Sequence, residues 1–327
     1  MKSWRPLVSI CIPAYNAGKY IAEALDSVLG QTYSRIEVIV VNDGSSDETE
    51  AVLETYAKAD IRLKVFHRPN KGAAASRNYA FNQSKGELIK FFDADDIMSQ
   101  SMVEQQVKVL HESQQYIASA EWGRFYNDDI NTFQANPEEV WKDMKSVDWI
   151  IESLKEGGNM MQPGIFLIPR KIIEKIGGWN EQLSLIDDFE FMIRVLLAAE
   201  RIRFTPDACL HYRSGITQSL STQKSRGAME SAYRSTQLGC RYILEKESSE
   251  RAQKVCANIW QQRVYEFYPA CKDLANKAER HVANLGKPSI ALPAGPGLKL
   301  LAKCIGWKLA KTLHYFYYQR GFNPIFK

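Results

Sequence analysis

The chain of 327 residues is 45% hydrophobic and 24% charged, the balance of a globular protein with room for one large domain and an appendage or for two medium domains. Its six cysteines are scattered without a C-x-x-C pair, which argues against a disulfide framework or a zinc site; no apolar run reaches the roughly 18 residues of a membrane span, and no signal-peptide pattern opens the chain. The net charge of +4 hides an asymmetry, because no Asp or Glu follows Glu279 whereas eight Lys and Arg do, leaving the upstream part at a net −4.

Four apolar, β-branched runs come first: Leu7–Ile12, Ile36–Val41, Leu63–Phe66 and Leu88–Phe92. Between them the spacing is helical, with Ile21, Leu25, Val28 and Leu29 on one segment, Val52, Leu53 and Tyr56 on the next, and a third from about Ala73 to Gln83. Ser45 or Ser46 with Asp47 and Glu48 is a good helix start. Such alternation predicts a mostly parallel sheet flanked by helices. Ligands of such sheets lie beyond the carboxyl ends of the strands. Those ends read Pro13-Ala14-Tyr15, Asn42-Asp43-Gly44, His67-Arg68-Pro69-Asn70 and Asp93-Ala94-Asp95.

Further along, the pattern predicts a helix over Met102–His111, a strand over Ile117–Phe125, a helix over Val147–Leu154, a strand over Ile165–Ile168 and a helix over Pro169–Ile176 closed by Gly177-Gly178. Another helix starts near Asp187-Asp188. From about Ser225 the chain reads as polar helices wrapped on the body, without a core of their own. The expected organisation is a catalytic domain over 1–222 and a basic helical extension over 223–327.

Three acids in four positions, Asp93, Asp95 and Asp96, repel one another unless positive charge sits between them. Acids in the first turn of a helix are stabilised by its dipole, which would account for Asp96 alone. Asp93 and Asp95 together, separated by a small alanine, suit a hard cation such as Mg²⁺ or Mn²⁺ shared with a diphosphate. No G-x-G-x-x-G follows the first strand and no P-loop occurs, which demotes nicotinamide dehydrogenases and P-loop enzymes. Asp43 ends the second strand where an anion would repel phosphate but accept from a base or ribose; a simple Asn-Asp-Gly turn is the plainer reading.

Taken together, Ser9-Ile10-Cys11-Ile12-Pro13-Ala14-Tyr15-Asn16, Ala24-Leu25-Asp26-Ser27-Val28, Gln31-Thr32-Tyr33, the run Glu37 to Asp47, Asn70-Lys71-Gly72, Ala75-Ser76-Arg77-Asn78, Phe92-Asp93-Ala94-Asp95-Asp96, Gly177-Gly178-Trp179-Asn180-Glu181, Asp187-Asp188-Phe189-Glu190 and Tyr212-Arg213 closely resemble glycosyltransferase family 2 over roughly residues 5–220. The resemblance implies a GT-A (Rossmann-like) fold and an inverting hexosyltransferase type of enzyme using a nucleotide-sugar donor, UDP foremost. By the same resemblance, Pro13, Ala14 and Tyr15 cradle the nucleobase and Asp43 accepts from its ring N–H. Arg77 reaches base or diphosphate, Asp93 the ribose, and Asp95 a Mn²⁺ or Mg²⁺ ion bridging the phosphates. Asp188 is the catalytic base, Asp187 and Trp179 lie toward the acceptor, and Tyr212-Arg213 followed by Ser219 shelters the diphosphate. Two departures stand out: Asp187 replaces the commoner Glu, and Ile186 precedes it where the family has Gly.

A sugar nucleotidyltransferase would open with a Gly-rich loop where this chain has Pro13-Ala14-Tyr15-Asn16. A glycoside hydrolase needs two carboxylates but no metal or base pocket. A catalytically inactive nucleotide-sugar-binding protein is disfavoured by the intact Asp93-Ala94-Asp95 and Asp187-Asp188 elements. The acceptor is expected to be a saccharide or glycolipid of surface-polysaccharide assembly. Reduced thiols and the absence of a span point to the cytoplasm. Leu298, Leu301, Ala302, Ile305, Leu309, Leu313 and Phe316 form an apolar stripe on a helical wheel beside several lysines, so the tail either lies on an anionic membrane, at the inner face of the cell membrane, or packs on the catalytic body. Nothing suggests a nucleic-acid reader.

Overall fold

A computed structural model describes residues 4–158, 161–216 and 225–319. They fall into two compact units, Met1–Glu152 with Met160–Gln223, and Ser153–Asn159 with Lys224–Lys327.

In the first unit, strands β1 (Val8–Ala14), β2 (Ile36–Asn42), β3 (Leu63–His67) and β4 (Leu88–Phe91) alternate with helices α1 (Ile21–Leu29), α2 (Thr49–Ala59) and α3 (Ala73–Gln83). Every residue of β2 and β4 is buried, as expected of strands covered on both faces. The strands pair in parallel in the order β3-β2-β1-β4. Winding therefore reverses direction between β1 and β4, and a parallel sheet opens its ligand crevice at such a reversal. The loops that leave β1 and β4 carry Tyr15 and Asp93.

After β4 come β5 (Ile97–Met98), α4 (Met102–Leu110), β6 (Tyr116–Tyr126), β7 (Asp129–Ala135), β8 (Met144–Lys145), α5 (Ser146–Ser153), β9 (Ile168–Pro169), α6 (Arg170–Ile176), α7 (Asp187–Ala198) and β10 (Arg201–Ser214). The strand expected over Ile165–Ile168 shrinks to β9, antiparallel at the edge of β4, because Pro163-Gly164-Ile165 turns as a short 3-10 helix. The strand expected over Ile117–Phe125 is β6, but the second sheet it belongs to, β5-β10-β6-β7, escaped the sequence reading. Its long strand β10 carries Pro206 and a bulge between Thr205 and Cys209, features that hide a strand in sequence. The β6–β7 turn is Asn127-Asp128, both at φ 57, a pair that tolerates this conformation.

The second unit corrects another expectation, for it has a core of its own. Helices α8 (Arg226–Lys246), α9 (Glu250–Phe267) and α10 (Lys272–Leu285) bury Ile243, Val255, Trp260, Val264, Phe267 and Leu274. On α8 the buried stripe is Ala228, Ser231, Ala232, Ser235, Thr236, Gly239, Cys240 and Ile243. Small residues let helices approach closely while contributing little hydrophobicity, so the sequence reads as polar. Asn258 Nδ2 on α9 donates to the Lys155 carbonyl at 2.6 Å and draws residues 153–158 into this unit. Two further helices, α11 (Pro296–Ile305) and α12 (Trp307–Gln319), follow. All six cysteines are free.

Candidate active site

The loops at the carboxyl edge of the first sheet are laced to one another. Asn16, at φ 48, accepts on Oδ1 from Ser46 N–H at 2.8 Å, while its own N–H donates to Ser45 Oγ at 3.0 Å. Ala17 N–H donates to Thr49 Oγ1 at 2.8 Å and Gly18 N–H to Asp47 Oδ2 at 3.0 Å. Asp43, buried at the end of β2, accepts from Gly72 N–H at 2.7 Å and from Lys71 N–H at 3.0 Å, with Arg68 Nε at 3.6 Å. Its carboxylate thus sets the loop that enters α3. Pro13 is half-buried and Ala14 buried, whereas the Tyr15 ring is 55% exposed. Of Pro13, Ala14 and Tyr15, the residues expected to cradle the base, Tyr15 is the one with an exposed aromatic side chain.

The acid cluster after β4 is resolved residue by residue. Asp96 is fully buried; its Oδ1 accepts from Arg213 N–H at 3.0 Å and its Oδ2 from Gln162 Nε2 at 2.6 Å. Burial and the neighbouring acids Asp95 and Asp93 raise its pKa well above the usual carboxylate range. Asp93 is held by Arg77 Nη2 at 2.8 Å and by the same Gln162 Nε2 at 3.2 Å. Among the described residues, no other residue donates to the Asp95 carboxylate. Burial, then the charge of Asp93, push Asp95 up to about 6.

Arg77 ties this cluster to α7. Its Nη1 donates to Asp187 Oδ2 at 3.2 Å, and its guanidinium lies 4.4 Å from the Trp179 ring centroid. Burial pulls the guanidinium pKa down, but Asp93 and Asp187 outweigh it and leave the group raised. Asp187 and Asp188 open α7, where the helix dipole favours negative charge. Asp188 Oδ1 accepts from Phe189 N–H at 2.8 Å. Burial and the adjacent Asp187 raise Asp188 to about 7, close to the value that suits a general base at neutral pH.

Two assignments change in this geometry. Trp179 is buried, stacked on Phe191 at 4.0 Å and edge-on to Phe91. Its ring lies in this aromatic cluster under Arg77, so it supports Arg77 and has no open face for an acceptor. Arg213 is also buried: Nε donates to the Asp95 carbonyl at 2.8 Å, Nη1 to Asp128 at 3.1 Å and Nη2 to Glu23 at 2.5 Å. With its charge shared between two acids, Arg213 holds the Asp95 backbone and not an open anion site. Ser219 lies outside the described residues. Gln162 went unnoticed in the sequence; the one signal was an amide side chain before Pro163 in an otherwise apolar stretch.

A family model described as Glycosyl transferase family 2 matches residues 9–177. The chain belongs to glycosyltransferase family 2. GlyG of Streptococcus pneumoniae, a glycosyltransferase, is 31% identical over 216 residues, 63% of this chain and 70% of that protein. TuaG of Bacillus subtilis, a putative teichuronic acid biosynthesis glycosyltransferase, is 39% identical over 113 residues, 34% of this chain and 45% of that protein. The aligned segments span 60% and 32% of two uncharacterized glycosyltransferases from Rickettsia typhi and Rickettsia felis. In structure, S. aureus TarS 1-349 in complex with UDP-GlcNAc superposes with a TM-score of 0.69 at 20% identity, over 96% of this chain and 92% of that one. The mannosyltransferase PcManGT of Pyrobaculum calidifontis, in complex with GDP-Man and Mn²⁺, gives 0.56 at 18% identity, over 95% and 84%. At these identities the likeness is one of fold, and that fold is GT-A.

Set against the family 2 pattern, the residue before the acid pair acquires a physical meaning. Ile186 caps α7 at φ 52, ψ 35, in the left-handed region. Glycine adopts this conformation without cost, whereas a β-branched side chain is strained there. The acid pair of this family member is therefore presented from a strained backbone.

Proposed function

We propose that the protein transfers a sugar from a nucleotide-diphospho-sugar, with UDP as the nucleotide, to an acceptor hydroxyl, inverting the anomeric centre. The observation that carries this reading is the convergence on Arg77 of the acid cluster after β4 and the acid pair that opens α7. Asp188, with its pKa near neutrality, takes the proton from the acceptor hydroxyl as that oxygen attacks the anomeric carbon. The bond to the diphosphate breaks on the opposite face, so one displacement inverts the centre. Tyr15 stacks on the base and Asp43 accepts from its ring N–H, while Asp93 meets the ribose. Asp187 borders the acceptor side. The saccharide or glycolipid acceptor belongs to surface-polysaccharide assembly, a reading supported by the likeness to TuaG, a putative teichuronic acid biosynthesis glycosyltransferase.

Asp95 suits a divalent cation. It is a hard oxygen donor with no donor from another residue among the described residues, and burial and then the charge of Asp93 raise its pKa. Among those residues no three His, Cys, Asp or Glu side chains form a metal-binding group; one or two carboxylates suffice where substrate phosphates supply the other ligands. Bound there, Mn²⁺ or Mg²⁺ supplies positive charge to the departing diphosphate.

The test is calorimetry of UDP binding with and without Mn²⁺. Asp95→Asn is expected to lose the metal-dependent part of the affinity, and EDTA to remove the same part from the parent protein. Affinity indifferent to both treatments would overturn the assignment.

A further inference from the structure

The second unit ends in a surface that nothing else in the molecule explains. Helix α11 has no buried residue at all. A helix of ten residues is marginal in water unless packing supports it. Its Leu300, Leu301 and Ile305 are exposed, and the same holds for Leu309, Leu313, Phe316 and Tyr317 on α12. Exposure reaches 66% at Leu300 and 56% at Phe316. Contiguous apolar patches of this kind are uncommon on free surfaces and mark contact sites.

The opposite face of α12 shows why the stripe stays outside. Ala310 is fully buried, and Trp307 sits edge-on to Tyr265 at 5.1 Å and Tyr268 at 5.4 Å. Lys311 Nζ donates to the Tyr265 carbonyl, Thr312 Oγ1 hydrogen-bonds Tyr268 Oη at 3.1 Å, and Lys308 pairs with Glu279 at 2.7 Å. Within the second unit the helix is anchored by its more polar side, and its exposed Leu309 and Leu313 take no part in these contacts.

We propose that α11 and α12 form a docking surface for an anionic lipid bilayer. Charge selects this occupant. No Asp or Glu follows Glu279, and eight Lys and Arg do. Lys299 and Lys303 on α11 are exposed and have no ion pair among the described residues. A second copy meeting this face through a two-fold axis would bring these cations together without an acid to receive them. A bilayer receives both features, with lipid tails for the Leu, Ile and Phe side chains and anionic headgroups for the lysines. Tyr317 suits the headgroup level. Among the described residues no helix is long and apolar enough to cross a membrane, so these helices lie in the plane of the interface. The inference is independent of the donor site, and UDP binding does not bear on it.

Co-sedimentation of the full chain with vesicles tests it, comparing phosphatidylcholine alone with phosphatidylcholine mixed with phosphatidylglycerol. Binding is expected only to the anionic vesicles and is expected to fall with added salt. The double variants Lys299→Glu/Lys303→Glu and Leu309→Glu/Leu313→Glu are each expected to weaken it about tenfold or more. These side chains are exposed, and the salt and lipid comparisons on the parent chain need no variant. Equal sedimentation with neutral and anionic vesicles overturns the proposal, as does binding unchanged by both variants. A dimer in analytical ultracentrifugation that Leu309→Glu/Leu313→Glu dissolves, without any vesicle binding, also overturns it and makes a second copy the occupant.

Discussion

Arg77 and Asp187 stand 110 positions apart in the chain, yet their side chains meet at 3.2 Å. The same guanidinium reaches Asp93 at 2.8 Å, so one buried cation joins the loop after the fourth strand to the first turn of α7. It also neutralises acids that would otherwise repel each other at the site's centre. The positive charge that the acid cluster demands is therefore partly built in, and under the proposed function Asp95 is the acid assigned to an external cation.

Removing that cation should be costly. Arg77→Ala leaves Asp93 and Asp187, both half-buried, without their cation, and removing one partner of such a contact costs about 1–3 kcal/mol. Arg77→Lys keeps the charge but loses the planar fork and the stacking on Trp179. The expected outcome is a lower unfolding midpoint for Arg77→Ala, with Arg77→Lys recovering part of the stability and little of the transfer activity. Calorimetric melts and single-turnover assays measure the two quantities, and a fully active Arg77→Lys would show that bridging is dispensable.

Asp188→Asn is expected to reduce transfer by roughly 10²-fold or more while leaving UDP affinity near that of the parent, because a general base serves the acceptor. In the parent, rate should rise with pH through about 7 as Asp188 ionises. Stability should move the other way. A carboxyl whose pKa is higher in the folded state than its unfolded value of about 4 binds its proton more tightly when native. That contribution is fully present below about pH 4 and is lost as pH rises through about 7. Asp188→Asn removes the buried charge, so its melting temperature should exceed the parent's at pH 8 and lose less between pH 5 and 8. A parent whose stability is flat over this range would mean that Asp188 titrates as an ordinary carboxylate.

The strands and helices that position the site were legible because the local pattern and the tertiary environment agree. Apolar, β-branched runs became β1 to β4, and the third helix spans Ala73–Gln83 as its spacing predicts. The residues that decide what the acids do were far less legible. Gln162 acts through its amide, whose Oε1 accepts from Gly164 N–H and so turns its NH₂ toward Asp93 and Asp96. No periodicity signals such a contact across 66 positions. Arg213 reads as a free cation in sequence, yet its partner Asp128 sits on the tip of a hairpin whose second strand the pattern did not mark. The helical unit was misread for a different reason: serine, alanine, glycine and cysteine on α8 make a tight interface while lowering its apparent hydrophobicity.

Tyr15 and Asp43 should separate under mutation although both are assigned to the base. Tyr15 is exposed and makes no hydrogen bond among the described residues, so Tyr15→Ala should leave the unfolding midpoint nearly unchanged. Loss of one stacking ring is worth roughly 1 kcal/mol, which predicts uridine binding weakened about fivefold. Asp43 instead receives the N–H groups of Lys71 and Gly72. Asp43→Ala leaves them without their acceptor, at a cost of about 1–3 kcal/mol. It also frees the loop entering α3, the helix that carries Arg77. Its uridine affinity and its melting temperature should therefore fall together, and transfer should fall further than binding because Arg77 loses its support. Uridine calorimetry beside thermal melts distinguishes the two variants. If both leave uridine affinity intact while only the nucleotide sugar binds more weakly, the base does not lie at the ends of β1 and β2.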